Sequence, residues 1–434
     1  MSNRKRVWFE EAGKRLDPGL VEQLQLNRKD DPLETGNRKI PVIVYLNSDC
    51  EHASKDDLLK TCNKESHNKL EKELATVNGI RGYLTPGKIK QIKDHNAVDR
   101  IFHDRIVTAY LDIASNHIRA TNVWKEHSVK GKNVSIAVID TGVHPHEDLK
   151  DRIVAFKDLV NDRKDTYDDN GHGTHCAGDA AGNGQLSNGQ YSGPAPEATI
   201  VSVKVLDEQG SGRLSTIIEG IEWCIDKKEE LNIKVISLSL GATAYESFRD
   251  DPLAIAAQQA WHQGIVVCAA AGNSGPAPTT IGTPAIDPFI ITVGSAYDQD
   301  TLERSDDVIA DYSSRGPTID SFVKPDIYAP GTDIISLLSP DSALEYQLPE
   351  QIVDENYIQL SGTSMATPIC AGVVALMLEA NPNLSPNDVK SILKATSHPM
   401  FDDLWGYIDA VDAVEMAKNY YNAQQTAQVS TTKG

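Results

Sequence analysis

Short apolar segments recur between residues 134 and 296, and each is apolar at nearly every position. They predict six strands, at 134–140, 153–158, 199–206, 233–241, 264–272 and 289–296. Segments with helical patterning, such as THCAGDAAG and STIIEGIEWCIDKKEE, lie between several of them. Strands that are apolar on both faces and alternate with helices are typical of a parallel sheet covered by helices. We therefore predict an α/β fold here, with any site beyond the carboxyl ends of the strands.

A different pattern precedes this region. The segments 40–46, 79–85 and the start of 98–112 predict strands. Leucines at helical spacing predict a helix over 55–77, and the segment 86–97, which opens with Pro, predicts a second one. The expected domains are therefore a polar extension (1–38), a small β-α-β-α-β unit (39–111), a large α/β domain (112–420) and a polar, disordered tail (421–434).

Composition limits the classes of function. The chain has 434 residues, of which 40% are hydrophobic and 24% charged, as expected for a globular protein. Its formal net charge of −20 gives no basic surface for nucleic acid, and we expect no membrane span and no signal peptide. Six scattered cysteines without a CxxC motif favour a cytoplasmic location.

Charge is distributed unevenly along the chain. Residues 1–110 carry a small positive excess, whereas the remainder is strongly acidic. This asymmetry predicts that the two parts attract each other, although a chance distribution of solvated charges would give the same count.

Three side chains stand where this architecture favours reactivity. Asp140 ends a predicted strand, His172 begins a predicted helix, and Ser364 begins an apolar helix. Alone, each is more often a turn former or a helix cap. Together they match the needs of a serine nucleophile, which requires a histidine base and a carboxylate that orients the base. Asn273, after another strand, could donate a hydrogen bond to an oxyanion.

The segment DDNGHGTHCAGDAAG contains a second histidine, His175, three residues after His172. A zinc site on both histidines is the alternative, but the known helical zinc motif has four-residue spacing and an intervening Glu. We expect His175 to pack and form hydrogen bonds within its helix.

The segments DTG, HGTHCAG, AAAGN and GTSMATP, in this order, resemble the signature blocks of subtilisin-like serine proteases. The resemblance extends over about 112–418 and implies a subtilisin-like parallel sheet flanked by helices. It implies that Ser364 attacks the scissile carbonyl, that His172 transfers the proton and that Asp140 orients His172. The Asn273 side chain and the Ser364 backbone N–H would form the oxyanion hole.

The resemblance also places a substrate groove. QGSGRLS (209–215) and SLSLGA (237–242) are similar to two segments that clasp an extended substrate as a β-strand. The residues implied for substrate binding are small and uncharged, which favours a large apolar or aromatic residue before the cut. They are Gly212, Ser239, Leu240, Gly241, Ala270, Ala271, Gly272 and Gly282.

The small unit resembles the prodomain of this family, which assists folding and then plugs the groove. This implies self-cleavage around Ala109, Tyr110 and Leu111; a permanent accessory domain is the alternative. A prodomain-like unit without an expected signal peptide resembles the intracellular AprX-type members of the family. Family members often bind calcium, which would implicate Asp148 and the loop 182–196, although that loop departs from the usual pattern. The acid-rich segment 162–169 is a second candidate for calcium.

The leading interpretation is a serine endopeptidase that acts on extended polypeptides. A non-catalytic scaffold that holds peptides in the same groove is one alternative. A hydrolase of small esters is another, which the two strand-like edges disfavour.

Overall fold

The computed structural model divides the chain into two compact units, residues 1–109 and 110–434. It describes residues 9, 15, 16, 20, 21, 24, 25, 39–47, 52–64, 67–74, 78–103, 113–299, 301–400 and 406–431. The predicted cleavage region, Ala109, Tyr110 and Leu111, lies outside the described residues.

In the part of the chain that the structure describes, the smaller unit contains a four-stranded antiparallel sheet and two helices with defined ends, and residues 20, 21, 24 and 25 are helical as well. Its elements are β1 (Ile40–Leu46), α1 (His52–Asn63), β2 (Lys69–Leu74), β3 (Gly79–Leu84), α2 (Pro86–Ile92) and β4 (Val98–His103), and its sheet order is β2-β3-β1-β4. Alternate residues of β1 are buried, and they pack in one core with side chains of both helices. The unit is thus α+β, as predicted.

The predicted helix over 55–77 is wrong in its second half, because α1 ends at Asn63 and β2 follows. The Asn63 side chain bonds both the N–H and the carbonyl of Leu70, which turns the chain back. In β3, Gly82 lies opposite Leu70, and a Cβ there would lie 1.9 Å from the Lys69 carbonyl oxygen. Pairing with β3 therefore makes residues 69–74 a strand, although their leucines have the spacing of a helix.

The larger unit contains thirteen strands in the part of the chain described. They are β5 (Ser135–Asp140), β6 (Ile153–Asp158), β7 (Thr199–Lys204), β8 (Ile233–Leu238), β9 (Val266–Ala270), β10 (Ile291–Tyr297), β11 (Val308–Ile309), β12 (Ile327–Pro330), β13 (Ile334–Leu337), β14 (Ile352–Asp354), β15 (Tyr357–Leu360), β16 (His398–Pro399) and β17 (Gly406–Tyr407). Its helices are α3 (Ile113–His117), α4 (Ala120–His127), α5 (His172–Ala181), α6 (Leu214–Lys227), α7 (Pro252–His262), α8 (Ala343–Gln347), α9 (Thr363–Ala380), α10 (Pro386–Thr396) and α11 (Ala410–Thr431). Short 3₁₀ helices cover Glu147–Leu149, Gln185–Ser187, Arg304–Asp306 and Pro349–Gln351.

The main sheet has the order β16-β17-β12-β10-β9-β8-β5-β7-β6, with β11 beside β10. All neighbours from β6 to β17 along this order pair in parallel. All six residues of β5 are buried, as expected for a strand covered on both faces. The predicted parallel sheet flanked by helices is therefore confirmed. A small antiparallel sheet, β13-β15-β14, stands apart from it.

Helix α9 runs through the core of the larger unit. Its side chains are buried from Met365 to Leu378, including Pro368 within the helix. Of the helices described, α9 alone is long and apolar enough to cross a membrane, but 83% of that stretch is buried inside the unit.

The polar tail differs from the sequence-based expectation of disorder from residue 421. Helix α11 continues to Thr431. The segment NAQQTAQ is rich in Ala and Gln, which have high helix propensity, so a helix already begun at Ala410 can propagate through it.

Two lysine ammonium groups lie close to β12, and the side chain of Lys324 is buried whereas that of Lys390 is 15% exposed. Lys324 Nζ donates to the Ile290 carbonyl at 3.0 Å and to Asp326 Oδ2 at 2.6 Å. Lys390 Nζ donates to the three consecutive carbonyls of 288–290, at 2.8–3.1 Å. Burial favours the neutral acid, but the two ammonium groups outweigh it and lower the pKa of Asp326.

A buried carboxylate connects the start and the end of the larger unit. Asp409, which is 1% exposed, accepts hydrogen bonds from Arg119 Nε at 2.7 Å and from Arg119 Nη2 at 2.5 Å. Arg304 Nη1 lies 2.8 Å from the same carboxylate. Burial raises the pKa of Asp409, but the Arg119 hydrogen bonds, the Asp412 N–H and the Arg304 charge together outweigh burial and hold the pKa below its usual value.

We expect Asp409→Asn to lower the free energy of unfolding by about 3 kcal/mol at pH 7, because two guanidinium groups lose a buried partner. A lowered folded-state pKa means that this contribution is present above about pH 4 and is lost as the pH falls through the folded value. Urea denaturation at pH 7 and at acidic pH measures both effects. Asp226→Asn, at an exposed position, is the control. Equal stability of the two variants at pH 7 would contradict the prediction.

Candidate active site

Three neighbouring parallel strands end at one edge of the main sheet. Asp140 is the last residue of β5, Ser239 directly follows β8, and Asn273 lies three residues after β9. Because β8 pairs in parallel with both β5 and β9, these carboxyl ends meet. Helix α5 begins at His172, and Ser364 is the second residue of α9.

The His172 imidazole is bound to a buried carboxylate. Nδ1 of His172 lies 2.8 Å from Asp140 Oδ1, which also accepts the N–H of Thr141 at 2.8 Å. The Asp140 side chain is 1% exposed and that of His172 is 24% exposed. Burial lowers the pKa of His172, but the Asp140 carboxylate and the neighbouring Cys176 sulfur together more than offset burial, so the pKa lies well above its ordinary value. The contact therefore favours the imidazolium.

A second buried aspartate, Asp168, shapes the turn before α5. Its Oδ1 accepts the backbone N–H groups of Asn170 and Gly171, at 3.1 and 2.9 Å. Its Oδ2 accepts both the N–H and the hydroxyl of Thr174, at 2.9 and 2.7 Å. These four bonds satisfy donors at the start of the helix and set the position of His172. Sequence analysis missed this role, because Asp168 belongs to an acid-rich segment that resembles a solvated loop.

The Ser364 hydroxyl lies at the same edge. It donates to the Ser239 carbonyl at 3.1 Å, and the Ser239 hydroxyl donates to the Ser364 carbonyl at 2.7 Å. Among the described residues, no hydrogen bond joins Ser364 to His172. Contacts of this kind are often loose in substrate-free proteins and tighten when substrate binds. Cys176, buried one turn into α5, lies 3.8 Å from His172 Nδ1 and 3.5 Å from the Ser364 carbonyl.

The Asn273 amide is oriented by the start of α9. Its Oδ1 accepts the N–H of Thr363 at 3.0 Å and the Thr363 hydroxyl at 2.9 Å. The oxygen is therefore used within the protein, and Nδ2 remains a donor without a partner among the described residues. Both Asn273 and Ser364 line one open pocket of about 570 Å³. The arrangement can present an N–H group to a negatively charged oxygen beside Ser364.

This first pocket contains most of the residues predicted to bind substrate. Ser239, Leu240, Gly241, Ala270, Gly272 and Gly282 line it. Ala271 does not line it but is fully buried behind the wall, where its N–H donates to the Val293 carbonyl. None of the described lining residues is charged. A glycine is required at position 282, because a Cβ there would lie 2.7 Å from the Ala242 carbonyl oxygen.

A second pocket adjoins the first, and the two share the segment 239–242. It contains the predicted Gly212 and also His172. Apolar side chains of several elements complete it: Leu206, Leu214, Ile217, Leu240, Leu253 and Leu344. Leu344 and Gln347 of α8 were not predicted from the sequence, because α8 follows a polar segment without apolar periodicity.

Comparison with known proteins identifies the family. The model of the subtilase family matches residues 131–427. The chain belongs to the subtilase family. This subtilase is 44% identical to serine protease AprX of Bacillus subtilis (strain 168) over 364 residues, which cover 82% of each chain. It is 34% identical to subtilisin E of the same organism over 352 residues, 80% of this chain and 81% of the relative.

Two solved structures agree with this placement. A cold-adapted subtilisin-like serine proteinase is 33% identical, with a TM-score of 0.50, over 65% of this subtilase and 88% of that chain. Sphericase is 32% identical, with a TM-score of 0.52, and the match covers 62% of this subtilase and 84% of the sphericase chain. The predicted fold class and the AprX-type resemblance are confirmed, and the protein is a subtilisin-like serine protease.

The position predicted for calcium does not fit this ion. Asp148 is fully buried, and its two carboxylate oxygens accept the Leu186 N–H at 2.9 Å and the Tyr357 hydroxyl at 2.5 Å. In the loop 182–196, the Gly184 carbonyl is also used within the loop, by the N–H groups of Ser187 and Gly189. Protein donors thus occupy the oxygens that calcium would need.

The acid-rich segment 162–169 fits calcium no better. Asp168 binds the turn before α5, Asp169 pairs with Lys204 at 2.6 Å, and Asp162 pairs with Lys164 at 2.7 Å. Among its carboxylates, only that of Asp165 has no partner within the described residues, and one exposed carboxylate is not a site.

The alternative zinc site on both histidines is also disfavoured. His175 is buried, with Nδ1 2.9 Å from Asp179 Oδ2 and Nε2 3.1 Å from the Ile358 carbonyl oxygen. Both ring nitrogens are therefore engaged. Within the described residues, the group around His172 that could hold a metal consists of Asp140, His172 and Cys176, without His175.

We expect Asp168→Asn to lower the free energy of unfolding by about 2 kcal/mol, since it places an NH₂ group among backbone N–H donors. The loosened turn should lower kcat on a peptide more than it changes KM, because Asp168 positions His172 without lining either pocket. Thermal unfolding and steady-state kinetics measure the two effects. Asp165→Asn, exposed in the same loop, is the control. A variant as stable and active as this control would refute the role.

Proposed function

We propose that this subtilase is a serine endopeptidase that cleaves extended polypeptides, with Ser364 as nucleophile and His172 as general base. The observation that carries the proposal is the 2.8 Å contact between His172 Nδ1 and the buried Asp140 carboxylate. This contact holds the proton on Nδ1 and leaves Nε2 free to accept one. Such an imidazole, at the edge where Ser364 lies, is what a serine nucleophile requires.

In the proposed reaction, the Ser364 hydroxyl leaves the Ser239 carbonyl and attacks the scissile carbonyl, while its proton passes to His172 Nε2. The imidazolium then protonates the leaving amine, and water repeats the sequence to release the acyl group. Asp140 remains a carboxylate throughout.

The oxyanion would be bound by Nδ2 of Asn273 and the backbone N–H of Ser364. Both donors lack partners among the described residues. The Ser364 N–H lies in the first turn of α9, where the helix itself supplies no acceptor. The helix dipole adds to the stabilisation of negative charge there.

The substrate would lie as a strand along the segment 239–242, with Gly212 on the opposite edge. The uncharged first pocket supports a preference for large apolar or aromatic residues before the cleaved bond. A peptide-holding scaffold would need neither the His172–Asp140 contact nor a free oxyanion donor, and a small-ester hydrolase would need only the first pocket.

Self-processing is a further part of the proposal. The unit of residues 1–109 would act as a prodomain that is removed by cleavage around residues 109–111, as the resemblance of its pattern to such units suggests. A permanent accessory domain is the alternative. A cytoplasmic location is proposed on the cysteines, since the five that the structure describes are all buried and unpaired.

Intact mass of the purified protein and of Ser364→Ala tests the function together with self-processing. We expect the first unit to be lost from the wild type only, and an added apolar peptide to be cleaved by the wild type only. If the wild type cleaves the peptide but both proteins stay at full length, the protease function is supported and self-processing is rejected. Equal cleavage by Ser364→Ala would exclude Ser364 as the nucleophile.

The raised pKa of His172 predicts an alkaline shift of activity. A general base acts when unprotonated, so kcat/KM is fully present above the pKa of His172 and falls as the pH drops through it. We expect the acidic limb of the profile to lie above pH 6.5, the ordinary histidine value. A series of kcat/KM measurements on one peptide from pH 5 to 10 locates it. A limb centred below 6.5 would contradict the assigned electrostatics.

A further inference from the structure

The second pocket has one wall that the catalytic sheet does not supply. Most of its apolar side chains come from residues 206–253, but Leu344 and Gln347 come from α8. Helix α8 belongs to the connection between β13 and β15, outside the main sheet. Leu344 is half-buried in this wall, whereas Tyr346 of the same helix is 71% exposed and lines neither pocket.

Helix α8 is attached to the turn that carries His172. The N–H groups of Ala343 and Leu344 donate to the carbonyls of Asp169 and Asn170, both at 2.9 Å. The Ser339 hydroxyl, nearby in the chain, donates to the Asp168 carbonyl at 2.7 Å. All three hydrogen bonds reach residues 168–170, directly before His172, so they fix α8, and with it Leu344, beside the turn that carries the imidazole.

The packing leaves no space between α8 and this turn. Gly171, directly before His172, has a φ of +106°, and a Cβ there would lie 2.9 Å from Ser342 Oγ. Ser342 is fully buried and its hydroxyl accepts the Glu345 N–H at the start of α8. The wall formed by Leu344 is therefore part of the resting structure.

An extended peptide would present alternate side chains to the two pockets. Successive side chains of a strand point to opposite faces. When the substrate residue before the cleaved bond occupies the first pocket, the preceding substrate residue points the other way, into the second pocket. His172 and Leu344 both line that pocket. Both pockets share the segment 239–242, so one bound strand can reach both.

We propose that Leu344 is a specificity-determining residue, which selects an apolar side chain at the second position before the cleaved bond. The inference rests on the proposed endopeptidase function and adds a subsite to it. Substrate residues that bury apolar surface against Leu344 gain binding that glycine at this position lacks.

The test uses the full chain and peptides that share one aromatic residue before the cut but carry Leu or Gly at the second position. We expect Leu344→Ala to reduce the Leu-to-Gly ratio of kcat/KM about tenfold, as for a lost apolar contact in a specificity pocket. The Gly peptide should be cleaved as by the wild type. Tyr346→Ala, on the same helix, is the matched control and should keep the wild-type ratio.

A second variant distinguishes a change of specificity from a general loss of structure. Leu344→Lys should raise kcat/KM for a peptide with Glu at the second position relative to Leu, a gain that misfolding cannot produce. Three results would overturn the proposal. The Leu-to-Gly ratio of kcat/KM could be unchanged in Leu344→Ala, or the variant could lose the same activity on both peptides. The third result is an effect only on peptides that differ at the fourth residue before the cleaved bond. A wild type that cleaves no peptide would instead refute the endopeptidase function itself.

Discussion

The parallel pairing of β5, β8 and β9 is the constraint on which the site depends. These strands are buried, so only a sheet covered by helices accommodates them, and all their carboxyl ends then lie at one edge. That geometry brings together a carboxylate from β5, a carbonyl after β8 and an amide after β9. Helices α5 and α9 begin at the same edge, so His172 and Ser364, in their first turns, lie in the region where the three meet.

Burying Asp140 has an energetic cost that the surrounding residues only partly offset. One of its oxygens binds His172 and the Thr141 N–H, whereas Oδ2 is buried without a partner among the described residues. A carboxylate with spare hydrogen-bonding capacity in an apolar setting favours a nearby positive charge. Behind it, the buried Lys204 ammonium binds the Thr141 carbonyl at 2.6 Å and so keeps the strand end in place. The buried carboxylate therefore lowers the stability of the fold, but it also raises the pKa of His172.

Sequence analysis identified those features that local pattern encodes. The strand ending at Asp140 is a continuous apolar run, and Asn273 and Ser364 stand beside small residues at element ends. Features set by distant contacts escaped prediction. Strand β2 depends on Asn63 and on the close approach that Gly82 allows, and neither is visible in a hydrophobic pattern. In the sequence Asp168 resembles a solvated acid, and only the folded turn shows that it accepts backbone N–H groups. The position of Leu344 depends on backbone hydrogen bonds to residues that are distant in the sequence.

The ammonium groups of Lys324 and Lys390 hold backbone carbonyls and a carboxylate in the way that a bound metal ion could. An ion exchanges with solvent, and its occupancy, with the stability it confers, follows its concentration. A side-chain ammonium is covalently attached, so its effective concentration at these carbonyls does not change when the solution is diluted or a chelator is added. Just before β12, the protein therefore contains its own covalently attached counter-charge to Asp326, which neither dilution nor a chelator can remove.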